Sequence, residues 1–192
     1  MGKSRLEAFS DGVLAVIITI MVLELKVPHG SDWTALKPLM AVFLSYVLSF
    51  IYIAIYWNNH HHMLHTARRV EGGILWANLH LLFWLSLVPF VTGWMGENQF
   101  AAMTTSLYGF VLLMAAIAYW ILQKCIIVTH GGDESLLAKA VKQDHKGKGS
   151  ILLYMIAIPT AFWNQWIAGA IYVLVAIIWL VPDRRIERIL PE

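Results

Sequence analysis

The chain contains apolar stretches that are too long for the core of a soluble domain. The stretch RLEAFSDGVLAVIITIMVLELKVP, residues 5–28, carries no charged residue between Asp11 and Glu24. A helix needs about 20 mostly apolar residues to cross a bilayer. Only 14% of the 192 residues are charged and 59% are hydrophobic, whereas soluble domains have roughly 25% charged residues. The sequence therefore predicts an all-α, polytopic membrane protein.

Hydropathy and proline positions predict six transmembrane helices within a single membrane domain, 1–192. Pro28 ends the first helix, and Pro38 suits the first turn of the second. Residues 149–182 as one helix would be about 51 Å long, which exceeds a bilayer of about 40–45 Å. The polar WNQW in its middle favours two short helices instead. The predicted ranges are 6–27, 38–58, 74–95, 101–123, 150–165 and 167–182.

The basic residues predict the orientation of these helices. Of the 14 Lys and Arg residues, only Lys26 and Lys37 fall on one side of the six-helix arrangement, and the other 12 fall on the opposite side. Basic residues are retained in the cytoplasm, so both termini and the loop 124–149 are predicted to be cytoplasmic. This topology accounts for the basic residues, and no nucleic-acid partner is expected. No cleavable signal peptide is expected either.

Histidines at the end of the second predicted helix raise the alternative of a membrane metalloenzyme. His60, His61, His62 and His65 are close in sequence, and residues four apart share a helix face. No second histidine box is present, so a polar helix end with structural hydrogen bonds is favoured. The sequence also lacks a phosphate-binding loop, a nucleophile elbow and HExxH. We therefore expect no enzyme activity, no metal and no cofactor.

Two ionisable residues within the predicted helices stand out as candidates for a functional role. Asp11 and His80 lie in apolar segments, where ionisable residues usually have functional roles. A proton-coupled secondary transporter that uses this pair is one alternative. The absence of a recognisable inverted repeat in the sequence argues against it.

The first predicted helix has an apolar stripe that is separated from Asp11. At 100° per residue, Phe9, Val16, Ile20 and Leu23 fall within about 60° of one another, together with Val27. Thr19 flanks this stripe, whereas Asp11 lies almost opposite Val16. Such a stripe is compatible with packing or lipid contact as well as with a pore.

Three motifs resemble the lysosomal potassium channel family, transmembrane protein 175, in its six-helix prokaryotic form. RLEAFSDG opens the first helix and contains Arg5, Phe9, Ser10, Asp11 and Gly12; WNNHHHML and NLHLLFWLSLVPF follow in the next two helices. The last three helices match in number and hydrophobicity only. The resemblance implies a homotetrameric potassium channel in a prokaryotic cell membrane, without a Thr-Val-Gly-Tyr-Gly filter. Its expected partners are further copies of itself, potassium ions and the bilayer.

The resemblance also assigns roles to individual residues. It implies that the first helix lines the pore through Val16, Thr19 and Leu23, with Ile20 as the alternative to Thr19. Val16 departs from the family, in which isoleucine is more usual. The resemblance further implies a cytoplasmic hydrogen-bond network in which Asp11 points away from the pore and ties the first helix to the second and third. The residues of this network are Arg5, Ser10, Asp11, Trp57, His60 and Asn78.

Overall fold

The computed structural model describes residues 2–135, 137–138 and 145–180, and its helices form a bundle. The predicted all-α fold is confirmed. Within the described residues the helices are α1 Lys3–Leu23, α2 Trp33–Leu36, α3 Met40–His65, α4 Gly72–Ser86, α5 Val88–Glu97, α6 Ala102–Thr129, α7 His145–Trp163 and α8 Gln165–Leu180. The predicted helix end at residue 182 and five of the predicted cytoplasmic basic residues lie outside the described residues: Lys139, Lys142, Arg184, Arg185 and Arg188.

Four helical segments of the described chain are long and apolar enough to cross a membrane. They are Lys3–Leu23, Trp33–His65, Gly72–Glu97 and Ala102–Thr129, and Gln165–Leu180 is a shorter apolar helix. These four segments coincide with the first four helices predicted from the sequence.

The chain reverses direction between α7 and α8, as the prediction of two short helices requires. The side-chain oxygen of Asn164 accepts a hydrogen bond from the backbone N–H of Trp166 at 2.9 Å, which caps the start of α8. Trp179 Nε1 donates to Ser150 Oγ at 2.8 Å, so the end of α8 lies beside the beginning of α7. A single helix through 149–182 is therefore excluded.

Helix ends differ from the predictions where polar residues are involved. α3 continues to His65 instead of ending at residue 58, and α6 continues to Thr129 instead of residue 123. Asn59 and His60 are buried because α3 is covered by other helices at this level. Hydropathy measures how favourable a residue is in lipid, and it does not account for polar residues that neighbouring helices bury. A helix that ends in buried polar residues is therefore predicted to end too early. α1 ends at Leu23, one turn before the predicted residue 27.

The third predicted helix is interrupted at Leu87, where α4 passes into α5. Pro89 lies in the first turn of α5. Proline has no N–H to donate, and its ring crowds the carbonyl four residues earlier. The two helices therefore form one apolar segment with a break in its middle.

The bundle is built around α3 and α6. α1 packs against α3, α4 and α5, whereas α6 packs against α4, α5, α7 and α8. One cluster of polar groups inside the bundle is paired: Ser49 Oγ lies 2.6 Å from Thr92 Oγ1 and 3.0 Å from Tyr108 Oη. α1 therefore contacts other helices on one side only, and its other side is left uncovered.

Gly96 allows α5 to approach α3 closely, and its replacement by alanine should destabilise the subunit. A Cβ at this position would lie 2.5 Å from Ser45 Oγ and 2.6 Å from Val42 Cα. Because Val42 Cα is backbone, the clash is relieved only by moving the helices apart, at a cost of about 1–3 kcal/mol. Thermal unfolding of the detergent-solubilised protein should show a lower midpoint for Gly96→Ala.

Gly93 provides the matched control on the same helix. A Cβ there would meet nothing within 4 Å, so Gly93→Ala should unfold at the temperature of the unmodified protein or above it. Equal unfolding midpoints for Gly96→Ala and Gly93→Ala would contradict the close packing of α3 and α5.

Candidate functional site

α1 presents one buried face and one uncovered face. The buried face consists of Leu6, Ser10, Leu14, Ile17 and Met21. On the other face Val16 is 55% exposed, Ile20 is 42% exposed and Leu23 is 80% exposed. Phe9 and Gly12 are exposed as well, and so is Val27, which lies beyond the end of α1. The stripe recognised on the helical wheel is therefore part of a wider face that a single subunit leaves open, which also includes Ala15 and Val22.

An open groove runs between α1 and α5. It has a volume of about 880 Å³, and its walls include Val16 and Ile20 from α1 and Phe90 and Trp94 from α5. Glu24 and Glu97 also line it. The groove is therefore apolar along its length, with carboxylates at the end of α1.

The hydroxyl of Thr19 donates its only proton to a backbone carbonyl of α1. Its Oγ1 donates to the backbone carbonyl of Val16 at 2.9 Å and lies 3.2 Å from that of Ala15. Thr19 itself is exposed. A hydroxyl that donates inward offers only its oxygen lone pairs outward, which is the arrangement that suits a cation.

Asp11 joins α1 to α3. Trp57 Nε1 donates to Asp11 Oδ1 at 3.0 Å, and both residues are exposed on the single subunit. The ring of His61 stacks against that of Trp57, and the two ring centroids lie 6.4 Å apart.

Asn78 joins α1 to α4 and α3 through a buried chain of hydrogen bonds. Asn78 Nδ2 donates to Ser10 Oγ at 2.9 Å, and Ser10 Oγ donates to the carbonyl of Leu6 at 2.9 Å. His60 Nε2 lies 2.7 Å from Asn78 Oδ1. Since an amide oxygen only accepts, Nε2 carries the proton. All three polar side chains are buried.

Five of the six residues implied by the resemblance thus form two separate contacts in this subunit, and Arg5 takes part in neither. Asp11 reaches α3 only, through Trp57, and the connection to α4 runs through Ser10 and Asn78. Arg5 is exposed, and its side chain makes no hydrogen bond or ion pair with the described residues. A further contact that the sequence did not reveal is Lys3 Nζ donating to the carbonyl of His65 at 2.8 Å.

The structure does not arrange the residues of the two alternative functions as those functions would require. His80 Nε2 accepts from Trp84 on its own helix at 2.9 Å, whereas Asp11 is bound to Trp57, so the proposed proton pair shares no hydrogen bond. In the histidine cluster, His60 is engaged by Asn78. Across residues 2–135, 137–138 and 145–180, no group of three or more His, Cys, Asp or Glu is placed to hold a metal ion.

The chain resembles known proteins over its whole length. Residues 5–89 match the family model described as endosomal/lysosomal potassium channel TMEM175. The chain is 55% identical to potassium channel HX13_20290 of Chryseobacterium sp. over 192 residues, all of both chains. It is 30% identical to potassium channel Cha6605_3372 of Chamaesiphon minutus, covering 90% of this chain and 91% of that one.

A solved structure has the same fold. The crystal structure of a lysosomal potassium-selective channel TMEM175 homolog from Chamaesiphon minutus superimposes with a TM-score of 0.78 at 26% identity, covering 94% of this chain and 97% of that chain. These similarities point to channels and not to enzymes. On the strength of the full-length identity and the shared fold, this chain belongs to the TMEM175 family of potassium channels.

Proposed function

We propose that the chain is the subunit of a homotetrameric, potassium-selective leak channel in which α1 of each subunit lines the pore. The observation that carries this proposal is the uncovered face of α1, which holds Val16, Thr19, Ile20 and Leu23, while the opposite face is fixed to α3 and α4. One subunit has too few polar groups on this face to enclose an aqueous path, and four copies around an axis supply the enclosure.

In this tetramer the apolar side chains control access. A ring of four Val16 or four Leu23 side chains has no ligands to replace the water around an ion. Ions therefore cross it hydrated when it is wide, and it closes by dewetting when it is narrow. Four Thr19 hydroxyl oxygens between these rings supply ligands for partly dehydrated potassium.

The outer end of α1 favours cations. Glu24 directly follows Leu23, and the carbonyls at the end of a helix carry partial negative charge. Lys26 offsets only one of the two carboxylates at this end, because its ammonium is paired with Glu97 at 2.5 Å. This hydrogen bond and the charge of Glu97 raise the pKa of Lys26. Carboxylates at the entrance of a pore raise the local concentration of cations.

Contacts at the two ends of the bundle support the order in which the six helices cross it, and we propose that both termini are cytoplasmic, in the cell membrane of a prokaryote. At one end, Lys3 bonds to the end of α3, and His130 after α6 accepts from the backbone N–H of Arg68 at 3.0 Å. At the other end, Lys26 meets Glu97. α7 and α8 form a hairpin that returns to its starting side.

Cysteine labelling tests this topology. In a Cys125→Ser background, Ser31→Cys and Asp133→Cys each place one thiol in an exposed segment. An impermeant maleimide applied to intact cells should label position 31 only, because residue 133 lies in the predicted cytoplasmic loop. Both positions should react after lysis. Labelling of position 133 in intact cells would refute the orientation.

Assembly and function are tested on the purified protein. Native mass spectrometry should show four chains. In liposomes loaded with potassium, efflux should proceed at the same rate with and without a proton gradient, and it should exceed the sodium flux. Flux that requires the proton gradient would instead establish the transporter alternative, and a conducting monomer would refute the proposed pore.

A further inference from the structure

A partly open cavity of about 50 Å³ lies between α3, α6, α7 and α8, and none of its described walls belongs to α1. Its walls are mainly hydrocarbon and aromatic. They include Ile55, Tyr56, Asn59, Ala116, Ile151 and Trp179. The cavity is therefore distinct from the uncovered face of α1 and from the groove beside α5.

Two buried polar groups of this cavity have no partner among the described residues. Tyr56 is only 9% exposed, and its hydroxyl forms no hydrogen bond there. Asn59 is 5% exposed; its Nδ2 donates to the carbonyl of Ile55 at 2.8 Å, but its amide oxygen accepts from no described residue. Because they are three residues apart on α3, the two groups share one face of the helix.

The other polar groups of the wall are already satisfied. Tyr154 Oη donates to Tyr52 Oη at 3.2 Å, and Tyr52 Oη donates to the carbonyl of Tyr172 at 2.6 Å. Ser150 Oγ donates to the carbonyl of Lys146 at 2.8 Å and accepts from Trp179. Among the described residues, no side-chain nitrogen or oxygen that is shut off from solvent lacks a partner, so the hydroxyl of Tyr56 and the amide oxygen of Asn59 reach open space. Polar groups on buried residues are nearly always hydrogen-bonded, so the two groups identify the place where an occupant is expected.

We infer that this cavity is a binding site for a short-chain alcohol, a molecule of three or four non-hydrogen atoms with one hydroxyl group. A hydroxyl accepts one hydrogen bond and donates another, which matches the O–H of Tyr56 and the amide oxygen of Asn59. Its alkyl part lies against Ile55, Ala116 and Ile151. Burial of the alkyl group against these walls strengthens the binding, because it removes apolar surface from contact with water.

The size and polarity of the cavity favour an alcohol over water. A buried water requires about 10–15 Å³ and two to four polar partners. The volume therefore admits about three to five waters, whereas the hydroxyl of Tyr56 and the amide oxygen of Asn59 are the two unpaired polar atoms that the buried, described residues of the wall offer them. An alcohol fills the same space with a single hydroxyl and leaves no further hydrogen bonds unmade.

The site adjoins the anchor of α1 along the chain. Tyr56 and Asn59 alternate on α3 with Trp57 and His60, which bond to Asp11 and Asn78. The same two turns of α3 therefore carry both the cavity wall and the contacts that hold the proposed pore helix.

Fluorine NMR of 2-fluoroethanol with the purified full-length protein tests the site directly. Binding should be saturable and should be displaced by ethanol and 1-propanol. Tyr56→Phe removes one hydrogen bond and keeps the ring, so it should weaken binding about fivefold. Ala116→Leu fills the cavity and should abolish binding.

Tyr46→Phe is the matched control, because Tyr46 is half-buried on α3 and does not line the cavity. It should bind 2-fluoroethanol as tightly as the unmodified protein. Absence of saturable binding to the unmodified protein, which is the result for a cavity that holds only water, would overturn the proposal. Unchanged binding to Ala116→Leu would overturn it as well. This readout does not depend on ion conduction.

Discussion

Leu23→Ala should increase the unitary current and weaken the discrimination of potassium from sodium, while the fold of the subunit is unchanged. Leu23 is 80% exposed, so its truncation removes few contacts within the subunit and should alter the free energy of unfolding by less than about 0.5 kcal/mol. In the proposed tetramer the same change removes four isobutyl groups from one ring. A wider ring passes hydrated ions and resists dewetting.

Leu14 supplies the matched control because it is the same residue type on the same helix, but buried. Leu14→Ala should lower the unfolding free energy by about 2–5 kcal/mol without a selective change in permeation by the molecules that still fold. Reversal potential and unitary current in mixed potassium and sodium, together with thermal unfolding, separate the two effects. If Leu14→Ala alters selectivity and Leu23→Ala does not, the assignment of the pore-facing side of α1 is wrong.

The same recordings distinguish the role of Thr19 from that of Ile20. Thr19→Ala removes the outward-facing oxygen and should reduce the potassium preference, whereas Ile20→Ala should mainly change the current. Ile18 packs against the core, so Ile18→Ala should affect stability more than permeation. A loss of potassium preference in Ile18→Ala alone would contradict the proposed face.

The elements of the fold were largely predictable from sequence because a bilayer imposes a simple rule. An apolar run of about 20 residues must bury its backbone polar groups in a helix, so the first four helices follow from hydropathy. The rule does not cover polar residues enclosed by neighbouring helices. Asn59 and His60 illustrate this, since their burial extends α3 beyond the predicted end.

Part of the candidate site could likewise be predicted from local sequence, and part could not. A helical wheel is sufficient to separate Val16 and Leu23 from Asp11, because helical geometry is local. The partners of Asp11 and Ser10 are set by tertiary packing, and they entered the prediction only through the resemblance. The resemblance implied a single network of these residues. In the subunit they form an exposed contact between Asp11 and Trp57 and a separate, buried chain of hydrogen bonds through Asn78.

This division leads to the second large effect: Asn78→Leu should destabilise the subunit more than Asp11→Ala. Asn78 is fully buried, and its loss leaves the N–H of His60 without an acceptor, at a cost of about 1–3 kcal/mol. Ser10 loses less, since its hydroxyl still donates to Leu6. Asp11 and Trp57 are exposed on the subunit, and water can replace their mutual hydrogen bond.

The double variant His60→Phe with Asn78→Leu tests whether the unpaired N–H is the cause. Replacing both partners by apolar groups of similar shape removes the unsatisfied donor and can be nearly neutral. Its unfolding midpoint should therefore recover most of what Asn78→Leu loses. If the double variant is as unstable as the sum of the two single variants, then the destabilisation comes from packing around Asn78 and not from the hydrogen bond to His60. A coupling energy near zero in this cycle is the result that would refute the buried chain as the anchor of α1.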